Sequence, residues 1–79
     1  MSEQATLGQI VKEHREALKM SVDELAHKVG VTSRYIYKIE AGESKPRIDV
    51  VFRIINALGI PASEVFGGIA SHEKDIIKQ

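Results

Sequence analysis

The chain of 79 residues contains no cysteine and no tryptophan. Without cysteine it can hold neither a disulfide framework nor a thiolate metal site, which is typical of proteins in a reducing compartment. Apolar runs are short, since none approaches the ~20 residues that a membrane-spanning helix needs, and the first residues lack the basic and apolar pattern of a signal peptide. We therefore expect a soluble cytoplasmic protein that does not enter a membrane.

Residues with catalytic or ligand-binding spacing are equally scarce. The three histidines, His14, His27 and His72, are far apart, and the carboxylates are scattered along the chain. Gly67 and Gly68 have neither the strand nor the lysine context of a phosphate-binding loop. We therefore expect no enzyme activity, no cofactor and no metal. A chain of this length also allows only one hydrophobic core, which predicts a single small domain.

The sequence does contain the pattern of two short helices joined by a tight turn, in residues 21–40. Ser21 and Glu24 have the spacing of a capping box, which marks the start of the first helix. Gly30 can adopt the left-handed conformation that ends a helix, and Thr32 suits the N-cap of the second helix. This pattern predicts a helix-turn-helix. The apolar residues that would fill the space between the two helices are Leu25, Val29, Ile36 and Ile39.

Similar signals predict three more helices. Thr6 and Gln9 form a second capping box, and an apolar stripe then follows over 7–18. Another stripe over 51–58 indicates a fourth helix, and a proline suits the first turn of a short fifth helix over 61–66. The predicted fold is all-α with five helices. The stripe of the first helix comprises Leu7, Ile10, Val11, His14, Ala17 and Leu18.

Residues 7–66 resemble the lambda-repressor/Cro-like helix-turn-helix domain (XRE type), a DNA-binding module of phage and bacterial transcriptional regulators. The resemblance rests on the motif at 21–40 and on the order and spacing of segments 7–18, 39–46, 54–60 and 63–66. It implies a five-helix domain over 6–66 that binds double-stranded DNA through a recognition helix over 32–41. Residues 1–5 would then be a flexible N-terminal tail and residues 67–79 a C-terminal tail.

The charge of the whole chain is unfavourable to this interpretation. Eleven basic and 11 acidic side chains give a formal net charge of zero, whereas DNA-binding domains usually carry a basic excess. The distribution is uneven, however. Residues 28–47 hold five basic and two acidic side chains, a net charge of +3, while residues 1–27 carry −2 and residues 48–79 carry −1. Positive charge is therefore concentrated where DNA contact is expected, and we expect modest non-specific affinity.

The recognition helix can be divided into two faces, because successive helical residues are roughly 100° apart. Ile36 and Ile39 face inward, and Tyr35 lies at the edge. Arg34 is the leading candidate for reading a base, since its guanidinium can bond both major-groove acceptors of guanine. Alternatively, such charged side chains are merely solvated, and an exposed tyrosine leans across the helix surface. The predicted base-reading set is Ser33, Arg34, Tyr37 and Lys38.

Contacts to the DNA backbone are predicted from residues that flank the recognition helix. The start of the second helix offers backbone amides and a serine hydroxyl to a phosphate, and the loop after the recognition helix offers basic side chains. Val22 and Ala41 depart from the family pattern, in which a phosphate-binding glutamine and a polar residue are common. The predicted backbone set is Ser21, Thr32, Ser44, Lys45 and Arg47.

Two further expectations concern structure. The resemblance implies an ion pair between Arg15 and Glu40 that fixes the recognition helix against the first helix. Arg47 occupies the N-cap position of the fourth helix, where serine or threonine is usual, so that helix could be loose at its start or begin at Asp49.

The resemblance favours a homodimeric repressor. One recognition helix reads only a few base pairs, whereas two copies on a palindromic operator supply specificity. Apolar residues near the end of the chain are the candidate interface, with a frayed tail as the alternative. The alternative function is a protein-interaction module of the same fold with little DNA specificity. The candidate interface residues are Val65, Phe66, Ile69, Ile76 and Ile77.

Overall fold

The computed structural model describes residues 6–65. This part of the chain contains four helices, α1 (Leu7–Ala17), α2 (Val22–Val29), α3 (Ser33–Glu40) and α4 (Ile48–Leu58), followed by a single helical turn over 62–65. It contains no strand, and the predicted all-α fold is confirmed. None of these helices is long and apolar enough to cross a membrane.

The helices begin where the capping signals predict. The side chains of Thr6 and Gln9 exchange hydrogen bonds with each other's backbone N–H groups at the start of α1, and Ser21 and Glu24 do the same at α2. α4 differs, because its N-cap is Arg47 and no side chain caps it. Its start does not shift to Asp49. A missing cap of this kind costs about 1 kcal/mol, so the α4 start is the weakest of the four.

The turn between α2 and α3 has the predicted left-handed glycine. Gly30 has φ of 86°, and its N–H donates to the carbonyl of Ala26 over 2.8 Å. The N–H of Val31 donates to the same carbonyl over 3.0 Å, so two bonds close the end of α2. The hydroxyl of Thr32 then accepts from the N–H of Tyr35 and starts α3. These bonds fix the angle between the two helices of the motif.

The core lies where α2 and α3 pack against α1 and α4. Its fully buried side chains include Leu25, Ile36 and Ile39, as predicted. The prediction for the end of α1 was wrong, since Ala17 is exposed and Leu18 is 54 % exposed. α1 ends at Ala17, so Leu18 lies in the turn rather than on the buried stripe. The remaining fully buried side chains are Val11 and Ile54.

Val22 takes part in the core instead. It is the first residue of α2 and is 6 % exposed. The spacing explains this burial, because Val22 lies three, four and seven residues before the other buried positions of α2 and therefore shares their face. These positions are Leu25, Ala26 and Val29. The departure from the family's polar residue thus adds an apolar contact to the core.

The turn over 62–65 is attached to α1. His14 Nε2 and Glu64 Oε1 are 2.8 Å apart, and Val65 packs against the core. The Val65 side chain is therefore partly buried within its own chain, and its place in a dimer interface stays a prediction. The other four candidates, Phe66, Ile69, Ile76 and Ile77, lie outside the described residues.

A close approach of backbones joins α1 to the end of α3. Gly8 is buried, and a Cβ atom at this position would lie 2.7 Å from the carbonyl oxygen of Glu40 and closer still to that of Ile39. Both obstacles are backbone atoms that cannot rotate away. The distance between α1 and α3 therefore depends on residue 8 having no side chain.

We predict that Gly8→Ala destabilises the fold by about 1–2 kcal/mol, although alanine is the better helix former by ~1 kcal/mol. The collision with two carbonyls outweighs the gain in helix propensity. Urea unfolding measures the difference, with Glu13→Ala on the exposed side of α1 as the matched control. A Gly8→Ala variant that is more stable than the wild type would show that α1 does not approach α3 this closely.

Candidate nucleic-acid interface

The exposed side of α3 carries three of the four predicted base-reading residues. Arg34, Tyr37 and Lys38 are exposed, with Tyr37 at 60 %, whereas Ile36 and Ile39 are buried on the opposite side. Within residues 6–65, the Arg34 and Lys38 side chains form no hydrogen bond or ion pair. Two cationic groups on one rigid helix are therefore available to an anionic partner.

Ser33 is placed differently from its three neighbours. It is half-buried, and its hydroxyl donates a hydrogen bond to the Asp23 carboxylate of α2. Sequence reasoning gave Asp23 no role. Asp23 is in the first turn of α2 and Ser33 in the first turn of α3, and no spacing in the sequence indicates that these two helix starts meet. Ser33 is thus oriented by its own chain.

Arg15 and Glu40 form a bidentate ion pair between α1 and α3. Arg15 Nε donates to Glu40 Oε2 over 2.8 Å, and Arg15 Nη2 donates to Glu40 Oε1 over 3.1 Å. Nη1 donates to the carbonyl of Met20 over 2.9 Å, which adds the turn between α1 and α2 to the same network. The two side chains are only 12 % and 7 % exposed. The pair therefore fastens three parts of the chain in a site with little solvent.

This pair also determines which charges the surface presents. The hydrogen bond to Glu40 raises the pKa of Arg15 above its usual range, against the opposing effect of burial. The guanidinium therefore stays charged at neutral pH and compensates the negative charge of Glu40 inside the fold. Arg34 and Lys38 consequently stand on α3 without an exposed acidic neighbour on that helix.

The side chains predicted to contact the DNA backbone at the starts of α2 and α3 already take part in helix capping. The Ser21 hydroxyl accepts from the N–H of Glu24 over 3.0 Å, and the Ser21 N–H donates to the Glu24 carboxylate over 2.8 Å. The Thr32 hydroxyl accepts from the N–H of Tyr35 over 3.1 Å. Both hydroxyls keep a proton that could be donated to a phosphate. The Glu24 carboxylate at the α2 start opposes an anion there.

The loop after α3 carries the remaining predicted backbone contacts. Lys45 is exposed, Ser44 is half-buried, and the Arg47 side chain is 88 % exposed. Arg47 Nε lies 3.8 Å from Asp49 Oδ1, a distance too long for a strong hydrogen bond in such an exposed pair. Within residues 6–65, therefore, no strong contact holds either cation away from a phosphate. Ala41, the second departure from the family pattern, is an exposed C-cap.

Between residues 6 and 65, no three histidine, aspartate or glutamate side chains gather in a way that could hold a metal ion. A groove lies between the start of α1 and the loop that joins α3 to α4. Its lining is mostly small or apolar, and its polar side chains do not form pairs of acids or bases.

Two capped helices joined by a left-handed glycine, with an exposed basic second helix, define a helix-turn-helix domain. The comparison with protein families agrees, because the model described as "Helix-turn-helix" matches residues 11–65. This match covers more than half of the chain. The protein therefore belongs to the helix-turn-helix family.

Relatives with similar sequences carry related names. An uncharacterized HTH-type transcriptional regulator of Methanothermobacter thermautotrophicus is 40 % identical over 50 residues, which are 63 % of this chain and 72 % of that protein. A protein of Methanocaldococcus jannaschii, whose name describes an HTH-type transcriptional regulatory protein, is 41 % identical over 54 residues. These residues are 68 % of this chain but only 17 % of the longer relative.

Two solved structures of SinR have a similar fold. One shows SinR, described as the master regulator for biofilm formation, in complex with DNA, at a TM-score of 0.66 and 30 % identity. The similarity covers 71 % of this chain and 90 % of that one. The other is a complex of SinR and SinI, at a TM-score of 0.68 and 29 % identity, covering 73 % of this chain and 57 % of that one.

We predict that Glu40→Leu destabilises the fold by about 2–4 kcal/mol, because it leaves the buried guanidinium of Arg15 without its partner. The double variant Arg15→Met with Glu40→Leu should recover most of this loss, since an apolar pair has no charge to desolvate. Urea unfolding of the wild type and the three variants, including Arg15→Met, gives the coupling energy. Additive effects, with no recovery in the double variant, would contradict a structural role for the pair.

Proposed function

We propose that this protein is a sequence-specific regulator of transcription that binds double-stranded DNA through α3. The observation that carries the proposal is the exposed face of α3, where Arg34 and Lys38 have no partner within residues 6–65. A helix fits the major groove, and cationic groups on its exposed face can reach base edges and phosphates. The solved complex of SinR with DNA supports the same use of a similar fold.

Arg34 is proposed as the main base reader. It lies in the first turn of α3, and the N-terminal residues of recognition helices are the ones that contact base edges. Its planar guanidinium matches the two major-groove acceptors of guanine, which distinguishes a G·C pair from the other pairs. Tyr37 and Lys38 follow on the same face and are proposed to contact the next base or sugar groups.

Lys45, Arg47 and Ser44 are proposed as backbone contacts, together with Ser21 and Thr32 at the two helix starts. Contacts of this kind position the protein without reading sequence, and their strength falls as salt concentration rises. The net charge of zero does not oppose this proposal, because the charges are unevenly distributed. Residues 28–47 hold five basic and two acidic side chains, and one of these acids, Glu40, is paired with Arg15 from α1. The exposed surface around α3 is therefore more basic than the total charge suggests.

We further propose that the protein binds as a homodimer to a palindromic operator and represses transcription there. One copy of α3 has eight residues and reaches only a few base pairs, so two copies about one helical turn apart are needed for specificity. The proposed interface is the segment after the 62–65 turn. Its apolar residues are Phe66, Ile69, Ile76 and Ile77.

A protein-interaction module is the second candidate function. The complex of SinR with SinI shows that a similar chain is part of a protein–protein assembly. Val22 and Ala41, which replace polar residues of the family pattern, would both lower DNA affinity. A weak salt dependence and no preferred sequence would favour this alternative, because specific DNA binding releases counterions and selects a site.

We predict that Arg34→Ala weakens binding to the preferred duplex by about 1–3 kcal/mol and relaxes preference at one base pair of each half-site. The reason is the loss of the fork that would bond guanine. Selection from a random duplex library, followed by titration of the preferred and a scrambled duplex, measures both effects. Equal losses on the two duplexes would mean that Arg34 contacts only phosphate.

Lys45→Ala is the matched control for this experiment. It also removes one cation, but from the loop, so it should weaken binding to both duplexes by similar factors and lower the salt slope by about one ion per monomer. A change in sequence preference without a change in salt slope would assign the loop to base reading instead.

We predict that Phe66→Ala with removal of residues 68–79 gives a folded monomer that still binds a half-site but loses cooperative binding to the full operator. Loss of the aromatic anchor and the apolar tail is the expected cause. Sedimentation at tens of micromolar, together with titration of half and full sites, tests this. A wild-type chain that is monomeric, with operator binding insensitive to these changes, would remove the tail from the interface.

A further inference from the structure

Ser33 stands at the first position of α3, where a recognition helix would meet the edges of bases. A free serine hydroxyl is ambiguous in such a position, because it has one proton to donate and two lone pairs that accept. It could therefore bond either an amino group or a carbonyl group of a base. The Ser33 hydroxyl is not free, since it donates its proton to Oδ1 of Asp23.

Asp23 fixes the direction of this hydrogen bond. A carboxylate at neutral pH only accepts hydrogen bonds, so the shared proton belongs to the serine. Both residues lie in the first turns of capped helices, and the hydrogen bond between them joins these two helix starts. With its proton committed, the oxygen of Ser33 has only lone pairs to offer to a partner outside the protein.

Asp23 is also unusual for a surface that approaches DNA. It is exposed on the side of α2 that faces the start of α3, where its negative charge would repel phosphates. The Lys and Arg residues around α3 partly offset this repulsion, but the Asp23 carboxylate does not help them bind phosphate. The carboxylate is favoured at this place by the positive end of the α2 dipole, and its hydrogen bond to Ser33 gives it a second contact that bears on α3.

We propose that Asp23 is a positioning residue that makes Ser33 an obligate hydrogen-bond acceptor, so that Ser33 selects a base with an exocyclic amino group. In the major groove these groups are N6 of adenine and N4 of cytosine. The same oxygen rejects O6 of guanine and O4 of thymine, because lone pairs would face lone pairs. This inference rests on the proposed function, since it assumes that α3 enters the major groove.

The first test is a selection from a random duplex library with the wild type, Ser33→Ala and Arg34→Ala. The pair contacted by Ser33 is the one whose preference disappears in Ser33→Ala but persists in Arg34→Ala. We expect adenine or cytosine to be preferred at that position on the strand that faces α3. Every base pair carries one such amino group in the major groove, so the preference must concern the orientation of the pair. Equal enrichment of a pair and its reverse, such as A·T and T·A, would overturn the proposal.

The second test removes the amino group of that base. Purine replaces adenine, or 2-pyrimidinone replaces cytosine, in the selected duplex. The wild type should then bind about fivefold more weakly, the factor that corresponds to one hydrogen bond of ~1 kcal/mol. Ser33→Ala should bind the two duplexes equally, which separates the lost contact from any weakening of the base pair itself. Equal losses for both proteins would overturn the proposal.

The third test compares Asp23→Ala with Glu43→Ala. Each variant removes one carboxylate near α3, so both should gain affinity for every duplex, but only Asp23 contacts Ser33. We expect the preference for the amino-bearing base to fall severalfold in Asp23→Ala and to persist in Glu43→Ala. An unchanged preference in Asp23→Ala, with melting temperature near that of the wild type, would overturn the positioning role. Asp23→Asn is the second variant, because an amide can donate as well as accept and no longer commits the serine proton. If Asp23→Ala does not fold, an unchanged preference in folded Asp23→Asn would overturn the positioning role.

The outcomes separate this inference from the proposed function. If the wild type enriches no sequence from the library, the proposed function is wrong, and the inference about Ser33 is wrong with it. A sequence could instead be enriched whose preference changes in Arg34→Ala but not in Ser33→Ala. In that case the proposed function is supported, and the proposed role of Ser33 and Asp23 is wrong.

Discussion

The position of α3 depends on how α1 holds its C-terminal end. Arg15 donates two hydrogen bonds to the Glu40 side chain. Gly8 lies seven residues earlier on the same side of α1, and because it has no side chain the backbone of Glu40 can approach α1 closely. The third bond of Arg15, to Met20, fixes the turn that leads into α2. Buried ion pairs usually add little net stability, because desolvation offsets the attraction. Their geometry is directional, however, and here it fixes the end of α3 relative to α1.

The same arrangement divides the side chains of α3 by task. Ile36 and Ile39 fill the core, and Glu40 is used for anchoring. Arg34 and Lys38 remain on the outside, and Ser33 is oriented by Asp23 from α2. A helix that is held at its end by α1 and at its start by α2 has little freedom to tilt. The proposed base contacts would therefore be made by a prepared surface, with a small cost in conformational entropy on binding.

Much of this fold could be predicted because its signals are local. The capping boxes of Thr6 and Ser21 involve residues three apart, and the left-handed conformation of Gly30 follows from its place between two helical stripes. The end of α1 was missed, because the left-handed residue of the turn that follows is Lys19 and no glycine marks it. Leu18 continues the apolar spacing of α1, yet it is exposed because the helix ends before it.

The packing of two valines was not predicted. Val22 is buried with the apolar face of α2, and Val65 packs partly against the core in the turn that also places Glu64 beside His14. Within the site, the helical wheel placed Arg34, Tyr37 and Lys38 on the exposed face but could not show the bond between Ser33 and Asp23. That bond joins two helices, whereas a wheel describes one.

The central claim is that α3 reads the major groove, and dimethyl sulfate footprinting on the selected duplex tests it most directly. The reagent methylates N7 of guanine in the major groove and N3 of adenine in the minor groove. The account predicts that the bound protein protects guanine N7 in two patches about one helical turn apart and leaves adenine N3 between them reactive. Protection of adenine N3 with reactive guanine N7, or no protection at saturating protein, would contradict it.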